Sequence, residues 1–164
     1  MDLPFTPAQE AFRRAARAWL AAPVPRTPLA SMDTPAGFAQ HRAWERTLHD
    51  GGYAMVSWPV EYGGRGCNLI EWLLFEEEYY RARAPLRVNQ NGIFLLGPTI
   101  MEFGTPEQKA RFLTPMAKGE TMWAQAWSEQ QAGSDLAALR ATAVRDGEEY
   151  VLRGHKIWSS RAAY

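Results

Sequence analysis

The sequence predicts an α+β protein: an N-terminal all-α domain followed by the beginning of an antiparallel β domain. Helix-start signals and apolar residues at helical spacing recur up to about residue 120. The hydrophobic period then changes, from Thr121 onward, to the alternation of β-strands. An Asp-Gly turn flanked by β-forming residues follows at Asp146 and Gly147. Helices first and strands second is the order of an α+β chain.

The first two helices have clear boundaries. Thr6, Pro7 and Gln9 combine a hydroxyl cap, a proline at the first helical position and a glutamine at the capping-box position. Apolar residues continue at helical spacing to Leu20, and three prolines between 23 and 28 end the helix. A second helix is expected over about 36–50. Its apolar side consists of Phe38, His41, Trp44 and Leu48.

Three further helices are predicted before residue 120. The third covers about 68–82, starts at Asn68, and carries Leu69, Trp72, Leu73, Glu76 and Tyr80 at helical spacing. The fourth covers about 91–103 and ends at Gly104. The fifth repeats the capping-box signature from Thr105 to Gln108 and ends near Gly119. Its apolar face is formed by Phe112, Leu113 and Met116.

The remaining residues predict short strands. Thr121–Ser128 is expected to be a strand, the segments 139–145 and 149–153 to form a hairpin, and His155–Ser160 to extend as another strand. Because two or three strands cannot make a well-covered sheet, we expect the second domain to be completed by more chain or by a partner. The expected domains are 1–120, helical, and 121–164, the incomplete start of a β domain.

Composition narrows the function classes. The chain has 18 Lys and Arg residues and 18 Asp and Glu residues, so its net charge is zero. Zero net charge argues against general electrostatic binding of nucleic acid. A local basic patch remains an open alternative. No apolar run approaches the ~20 residues of a membrane span. The segment from Met1 to Pro4 lacks the basic and apolar parts of a secretory signal, so a cytoplasmic location is expected.

The single cysteine, Cys67, cannot form an internal disulfide, which fits a reducing compartment. None of the three histidines lies beside it in sequence, so we interpret it as a small apolar filler rather than a nucleophile. No metal site is predicted.

Two segments are candidates for binding chemistry. Ser128–Asp135 offers hydroxyls, carboxylates and an Ala-Gly pair that permits close approach to the backbone; a polar surface loop is the alternative interpretation. Lys156–Ser160 places an indole beside two hydroxyls, a suitable wall for a flat aromatic ligand; the alternative is a core tryptophan at a strand end.

At these segments the sequence resembles the acyl-CoA dehydrogenase family. Ser128–Asp135 resembles the family signature of Ser or Thr, Glu-Pro, a small residue and Ala-Gly-Ser-Asp. The hairpin turn Asp146-Gly147, followed by Gly154–Ser160, resembles a later segment of the family, of the type Asp-Gly…Asn-Gly-Gln-Lys-Trp-Ile-Thr. Upstream, Pro59–Gly66 resembles a glycine-rich connector, and Phe103–Lys109 resembles the turn into the helix before the sheet. The chain departs from the pattern at Gln130-Gln131, where Pro-Gly is usual, and at Arg153, where Asn is common.

The resemblance implies a fold and a cofactor. The family has an N-terminal helical domain, a middle β domain and a C-terminal helical bundle that is expected to be absent from this chain, and it binds FAD. The resemblance implies that Ser128 hydrogen-bonds the flavin ring, that Ser134 lies near both cofactor and thioester, that Trp158 packs on the isoalloxazine, and that Ser160 lies near N5. The full set of implied cofactor-binding residues is Gln125, Ala126, Trp127, Ser128, Gly133, Ser134, Trp158, Ser159 and Ser160, and Ser134 also binds substrate.

The implied reaction is α,β-dehydrogenation of an acyl-CoA thioester. The catalytic base is expected beyond Tyr164, and neither Glu129 nor Asp135 is expected to serve as base. The family implies a homo- or hetero-oligomer, dimer or tetramer, with an electron-transferring flavoprotein as acceptor.

The third and fourth helices are expected to build part of the acyl pocket, where Gly92, Gly97 and Pro98 leave room for a branched or steroid-like group. The open alternatives are a non-catalytic flavin- or acyl-CoA-binding subunit of a heteromer, a flavin monooxygenase relative, and a helical interaction domain without flavin.

Overall fold

The computed structural model describes residues 4–164 and shows two compact units, one ending at Met122 and the other covering Trp123–Tyr164. The first unit holds five α-helices and the second holds one two-stranded antiparallel sheet. This order confirms the predicted α+β class. Residues 1–3, which belong to the segment expected to lack a secretory signal, lie outside the described residues. Within residues 4–164, no helix is long and apolar enough to cross a bilayer.

The helix starts follow the capping signals in the sequence. The helices are α1 (Pro7–Leu20), α2 (Pro35–Asp50), α3 (Leu69–Arg81), α4 (Gly97–Phe103) and α5 (Pro106–Ala117). Thr6, Asn68 and Thr105 each form both bonds of a capping box, with Gln9, Glu71 and Gln108 as the partners. These side chains satisfy backbone N–H groups that have no partner inside the helix, so local chemistry sets where each helix begins.

The predicted fourth helix is only partly α-helical. Residues Asn91–Leu96 form a π-helix that runs into α4, and the Gly97 N–H bonds the Gly92 carbonyl five residues back. Pro98 has no N–H to donate to the preceding turn, which disfavours a regular α-helix here. The Thr99 hydroxyl donates to the Leu95 carbonyl oxygen, four residues back, at 2.8 Å. The helix predicted over about 91–103 is therefore present with those bounds, but its first six residues are π-helical and not α-helical.

Gly97 does not leave room for a ligand. A Cβ added at Gly97 would lie 2.2 Å from Cζ2 of Trp58, so the indole already fills the space beside the glycine. Trp58 is itself buried. The expectation that Gly97 makes room for an acyl group is corrected: the missing side chain accommodates Trp58.

Aromatic rings form the centre of the helical unit. Tyr53 stacks on Phe75 with ring centroids 5.4 Å apart, and Phe75 contacts Tyr79 at 5.7 Å. The Trp44 indole N–H donates to the Tyr79 hydroxyl at 2.6 Å, and that hydroxyl donates to the Pro85 carbonyl oxygen. The buried side of α3 is Leu74, Phe75, Glu78 and Tyr79, whereas Leu69, Leu73 and Tyr80 are exposed. The helical spacing was confirmed, but it did not identify the core-facing side of α3.

A buried ion pair ties α2 to the segment before the π-helix. Arg87 Nε donates to Glu45 Oε2 at 2.7 Å, and Arg87 Nη2 donates to the Ala54 carbonyl oxygen at 2.9 Å. Glu45 Oε1 accepts the backbone N–H of Val88 at 2.9 Å and of Asn89 at 3.2 Å. Both charged side chains are almost fully buried, so each depends on the other for solvation.

The second unit contains the predicted hairpin, but its loop is shifted and two predicted strands are absent from it. β1 (Thr142–Asp146) pairs with β2 (Glu149–Arg153), and Asp146 faces Glu149, so the loop is Gly147-Glu148, one residue later than the predicted Asp-Gly. Gly147 has φ +61°, the left-handed conformation that glycine adopts readily. Thr121–Ser128 and His155–Ser160 are not strands. In the described part of the unit neither segment has a neighbouring strand to complete a ladder, and a strand without a partner is not stable.

Candidate functional site

Two segments of the second unit lie side by side. We call residues 125–135 the first arm and residues 156–160 the second arm. The Ile157 N–H donates to the Ser128 carbonyl oxygen at 2.9 Å. The Lys156 ammonium donates to the Trp127 carbonyl oxygen at 3.1 Å. The two segments singled out in the sequence are therefore neighbours in space, although 20 or more residues separate them along the chain.

Glu129 anchors this arrangement. Its Oε1 accepts from the Lys156 ammonium and from the Ala141 N–H, each at 2.9 Å. Its Oε2 accepts from the Arg140 N–H at 2.8 Å and from the Gln131 side-chain amide at 2.7 Å. The hydrogen bond from Lys156, followed by that from Arg140, lowers the pKa of Glu129 to about 2. A carboxylate this acidic and this fully bonded is a poor general base, so Glu129 is an anchor.

A tight turn follows the anchor. Glu129 and Ala132 exchange both backbone hydrogen bonds, at 2.9 and 3.0 Å, and Gln130-Gln131 forms the connection between them. Gln130-Gln131 stands where the family pattern has Pro-Gly, and the turn is closed all the same. Just beyond it, a Cβ added at Gly133 would meet nothing within 4 Å, so the backbone there is open to approach.

The aromatic residues of both arms face outward. Trp158 is 81% exposed and Trp127 is 59% exposed. Trp158 has φ +59° and Arg161 has φ +64°, conformations that cost a non-glycine residue roughly 1 kcal/mol or more. The Ser160 N–H donates to the Trp158 carbonyl oxygen at 2.9 Å and closes the turn. The positive φ at Trp158 also explains why the second arm is not a strand.

The other predicted site residues are distributed on the same two arms. Ser128 and Ser159 are half-buried, whereas those exposed to solvent are Gln125, Ala126, Gly133, Ser134 and Ser160. The arms thus present hydroxyls, open backbone and two indoles on one unit of the chain.

Lys156 has a role that the sequence patterns did not indicate. The ammonium of Lys156 joins the arms alongside the Ile157–Ser128 backbone bond, because it contacts both the Glu129 carboxylate and the Trp127 carbonyl. One sequence feature could have indicated this ion pair. Glu129 and Lys156 lie in two motif segments that, by the resemblance, line the same cofactor.

The helical unit contains an apolar recess of about 410 Å³. Trp72 and Phe94 stack beside it with ring centroids 6.0 Å apart and an interplanar angle of 19°. The Trp72 indole N–H is held by the Glu76 carboxylate at 3.0 Å. The rest of the apolar lining consists of Trp58, Pro59, Ile93, Pro98 and Met101, and the recess is also bordered by the polar residues Ser57 and Glu102. The recess lies on the helices that were expected to build part of an acyl pocket.

Cys67 has no feature of a nucleophile. It is a half-buried free thiol, and burial raises its pKa. A raised pKa reduces the thiolate fraction at neutral pH. Within residues 4–164, no group of three or more His, Cys, Asp or Glu side chains is arranged to hold a metal ion.

Comparison with known proteins gives matches over nearly the whole chain. Residues 6–120 match the family described as acyl-CoA dehydrogenase, N-terminal domain, and residues 124–164 match acyl-CoA dehydrogenase, middle domain. The chain is 46% identical over 125 residues to acyl-CoA dehydrogenase IpdE1 of Mycobacterium tuberculosis, covering 76% of this chain and 32% of the relative. It is 39% identical over 171 residues to acyl-CoA dehydrogenase FadE26 of the same organism, covering 100% of this chain and 42% of the relative.

Two solved structures are similar along most of the chain. The ChsE4-ChsE5 complex from Mycobacterium tuberculosis matches at 37% identity with a TM-score of 0.78, covering 100% of this chain and 41% of that one. The Tcur3481-Tcur3483 steroid ACAD matches at 33% identity with a TM-score of 0.80, covering 98% and 41%.

The chain spans about a third to two fifths of the length of these relatives. Family models match both compact units in order, and the relatives exceed 30% identity over most of this sequence. This protein belongs to the acyl-CoA dehydrogenase family.

Proposed function

We propose that the two arms form part of the flavin-facing wall of an enzyme that introduces an α,β double bond into an acyl-CoA thioester. The observation that carries the proposal is the junction of the arms: Ile157 bonded to Ser128, and Lys156 bonded to both Trp127 and Glu129. This junction places two exposed indoles and several hydroxyls on neighbouring segments.

The residues present fit a large planar cofactor. The Trp158 indole is exposed at a strained turn, which suits a ring that covers a flat ligand and excludes water from it. Open space at Gly133 permits a ligand to approach the backbone. We assign Ser128 and Ser160 as hydroxyl partners of the flavin, with Gln125, Ala126, Trp127 and Ser159 beside them. We assign Ser134 to the meeting point of cofactor and thioester.

The contributions of the chain are binding, orientation and exclusion of water. A bound FAD supplies the two-electron redox chemistry. Hydroxyl and backbone donors on the arms stabilise negative charge that develops at the cofactor and at the thioester oxygen. The group that removes the α proton is expected in the part of the relatives' length that this chain does not cover. Glu129 is excluded from that role because it is saturated by four donors.

The apolar recess and the similar assemblies support a proposal for the substrate and the partners. The apolar recess beside Trp72 and Phe94 is proposed to contribute to the acyl pocket, and its stacked flat rings suit a polycyclic acyl group. One similar structure is described as a steroid ACAD, and two are described as two-component assemblies. We therefore propose a hetero-oligomer acting on a steroid-like acyl-CoA, with an electron-transferring flavoprotein as acceptor.

A second candidate is a non-catalytic subunit that holds flavin or acyl-CoA for a partner. The two-component nature of the similar assemblies favours it. The two candidates differ in one property: a non-catalytic subunit retains ligand binding but contributes no proton-abstracting group to the complete assembly.

Flavin binding tests the proposal directly. Titrating FAD with the purified chain should give weak binding, seen as quenching of flavin fluorescence, and no enoyl-CoA should form. Replacing Trp158 with alanine should weaken binding roughly fivefold, since one stacked ring contributes on the order of 1 kcal/mol. The matched control is Leu152→Ala, which removes a similarly exposed apolar side chain from β2. Equal weakening by both variants, or wild-type binding by Trp158→Ala, would contradict the assignment.

A further inference from the structure

A groove in the helical unit is lined by four arginines. It lies where α1 and α3 end, has a volume of about 440 Å³, and is bordered by Arg17, Arg26, Arg81 and Arg83. Its floor is apolar and includes Leu20, Val24, Pro25 and Ala82. We call it the arginine groove. Zero net charge over the whole chain gives no hint of it, so the positive charge is concentrated locally.

Glu78 is the only carboxylate in the lining, and it is already saturated. Arg17 Nε lies 2.7 Å from Glu78 Oε2, Arg13 Nε lies 2.8 Å from Oε1, and Arg81 Nη1 lies 3.1 Å from Oε1. The Glu78 side chain is 1% exposed. Four arginines against one carboxylate leave the lining with a net charge of 4 − 1 = +3.

Helix chemistry explains only part of this charge. Arg17 and Arg81 lie in the last turns of α1 and α3, where a cation interacts favourably with the helix dipole. Arg26 and Arg83 lie beyond the helix ends, and both are exposed. Neither forms an ion pair with any carboxylate in residues 4–164. Two guanidinium groups at the rim are therefore available to an external anion.

Arg83 occupies a position that normally favours glycine. Its φ is +54°, and it directly follows the C-cap residue Ala82 of α3. The Arg83 N–H bonds the Tyr80 carbonyl at 3.0 Å and the Ala84 N–H bonds the Tyr79 carbonyl at 3.2 Å, as at helix ends that close with glycine. An arginine there costs roughly 1 kcal/mol relative to glycine. The strained backbone of Arg83 therefore carries a guanidinium group that lines the groove and forms no ion pair with a carboxylate of residues 4–164.

We propose that the arginine groove binds an acidic segment of a partner protein, in which Asp or Glu residues flank an apolar side chain. Guanidinium groups pair with carboxylates through two parallel hydrogen bonds, which suits the rim. The apolar floor would bury the central side chain, an area that inorganic phosphate cannot cover. The lining of the arginine groove includes none of the residues assigned to flavin or acyl-CoA.

The test uses a fluorescein-labelled peptide, Asp-Glu-Leu-Glu-Asp, and fluorescence anisotropy with the purified chain. Binding should saturate below about 1 mM and weaken at least about fivefold when NaCl rises from about 50 to about 300 mM, because exposed charges are screened. The uncharged peptide Asn-Gln-Leu-Gln-Asn should bind roughly tenfold more weakly. No saturation with the acidic peptide, or equal binding of the two peptides, would overturn the proposal.

Variants separate the groove from general attraction. Arg26→Glu and Arg83→Glu should each weaken binding roughly tenfold. Arg83→Gly removes the charge and relieves the strained φ, so it should weaken binding while the chain unfolds at an equal or higher temperature. Arg46→Glu is the matched control, since Arg46 is an exposed arginine on α2 outside the lining. Equal loss in the control would show nonspecific attraction and refute the groove.

A final arm distinguishes a protein segment from a phosphate ligand. Replacing the central leucine of the peptide with serine should weaken binding severalfold, and inorganic phosphate should compete only at concentrations well above those of the peptide. Full retention of binding by the serine peptide, together with strong phosphate competition, would reassign the groove to phosphate. The Arg83→Glu variant should bind flavin as well as the wild-type chain does. Loss of peptide binding with unchanged flavin binding therefore distinguishes this proposal from the flavin proposal.

Discussion

The Lys156 ammonium lies 2.9 Å from a Glu129 carboxylate oxygen and 3.1 Å from the Trp127 carbonyl oxygen. A single side chain of the second arm thus contacts two residues of the first arm, Trp127 and Glu129. Glu129 in turn holds the backbone N–H groups of Arg140 and Ala141, just before β1. The pair therefore joins the two arms and the base of the hairpin at one point.

Breaking this pair should loosen the arms locally. In Glu129→Gln, Lys156 loses its ionic partner, so we expect the Ile157 amide, bonded to Ser128, to exchange with solvent at least about tenfold faster. Hydrogen exchange of the single amide measures this. Glu148→Gln, in the exposed hairpin loop, is the control and should leave that rate unchanged. Unchanged protection in Glu129→Gln would show that the arms are held by other contacts.

The buried Glu45–Arg87 pair should contribute strongly to stability. Arg87→Met leaves the Glu45 carboxylate buried without its cation, and we expect the free energy of unfolding to fall by about 3–5 kcal/mol. Urea denaturation followed by tryptophan fluorescence measures the change. Arg46→Met, an exposed change on α2, should stay within about 0.5 kcal/mol of the wild-type chain. A loss below about 1 kcal/mol in Arg87→Met would contradict the role assigned to the pair.

Glu78 should make the helical unit sensitive to acid. Hydrogen bonding from Arg17, followed by that from Arg13, lowers the pKa of Glu78 from its ordinary value of 4.5 to about 2. A carboxyl whose pKa is lower in the folded state adds stability above the unfolded pKa. That contribution is lost as pH falls from about 4.5 towards 2, because the unfolded chain then takes up the proton first.

The melting temperature between pH 6 and pH 3 tests this linkage. The wild-type chain should lose stability steeply as pH falls, whereas Glu78→Gln should start lower and show a shallower slope. Glu61→Gln, which removes an exposed carboxylate from the 3₁₀ turn Val60–Tyr62, is the control and should keep the wild-type slope. Parallel slopes for Glu78→Gln and the wild-type chain would contradict the prediction.

Gly97 and Gly133 provide a matched pair of glycine substitutions. Gly97→Ala places a Cβ 2.2 Å from the Trp58 ring, and we expect a loss of about 1–3 kcal/mol from overpacking. Gly133→Ala meets nothing within 4 Å and should be neutral within about 0.5 kcal/mol. Thermal unfolding of both variants measures the difference. Equal stability of the two would show that the helix around Gly97 yields without cost.

Features set by local chemistry were predictable. The helices beginning after Thr6, Asn68 and Thr105 follow capping boxes completed within three residues, and the hairpin follows a glycine turn. The π-helix before α4 was missed because apolar spacing does not show whether the turn before Pro98 closes on the carbonyl four or five residues back. Thr121–Ser128 was wrongly expected to be a strand because alternation shows a tendency to extend and not the presence of a neighbouring strand.

The helices-then-hairpin order, the helix starts and the two motif segments can be inferred from local sequence, since each depends on residues within one turn or one loop. Three long-range contacts became known from the folded chain: Glu129 pairs with Lys156, Trp58 fills the space beside Gly97, and four arginines share one groove around Glu78. The physical reason is distance along the chain: charge pairing and ring packing act between residues far apart in sequence, and no local pattern records which partner each side chain will meet.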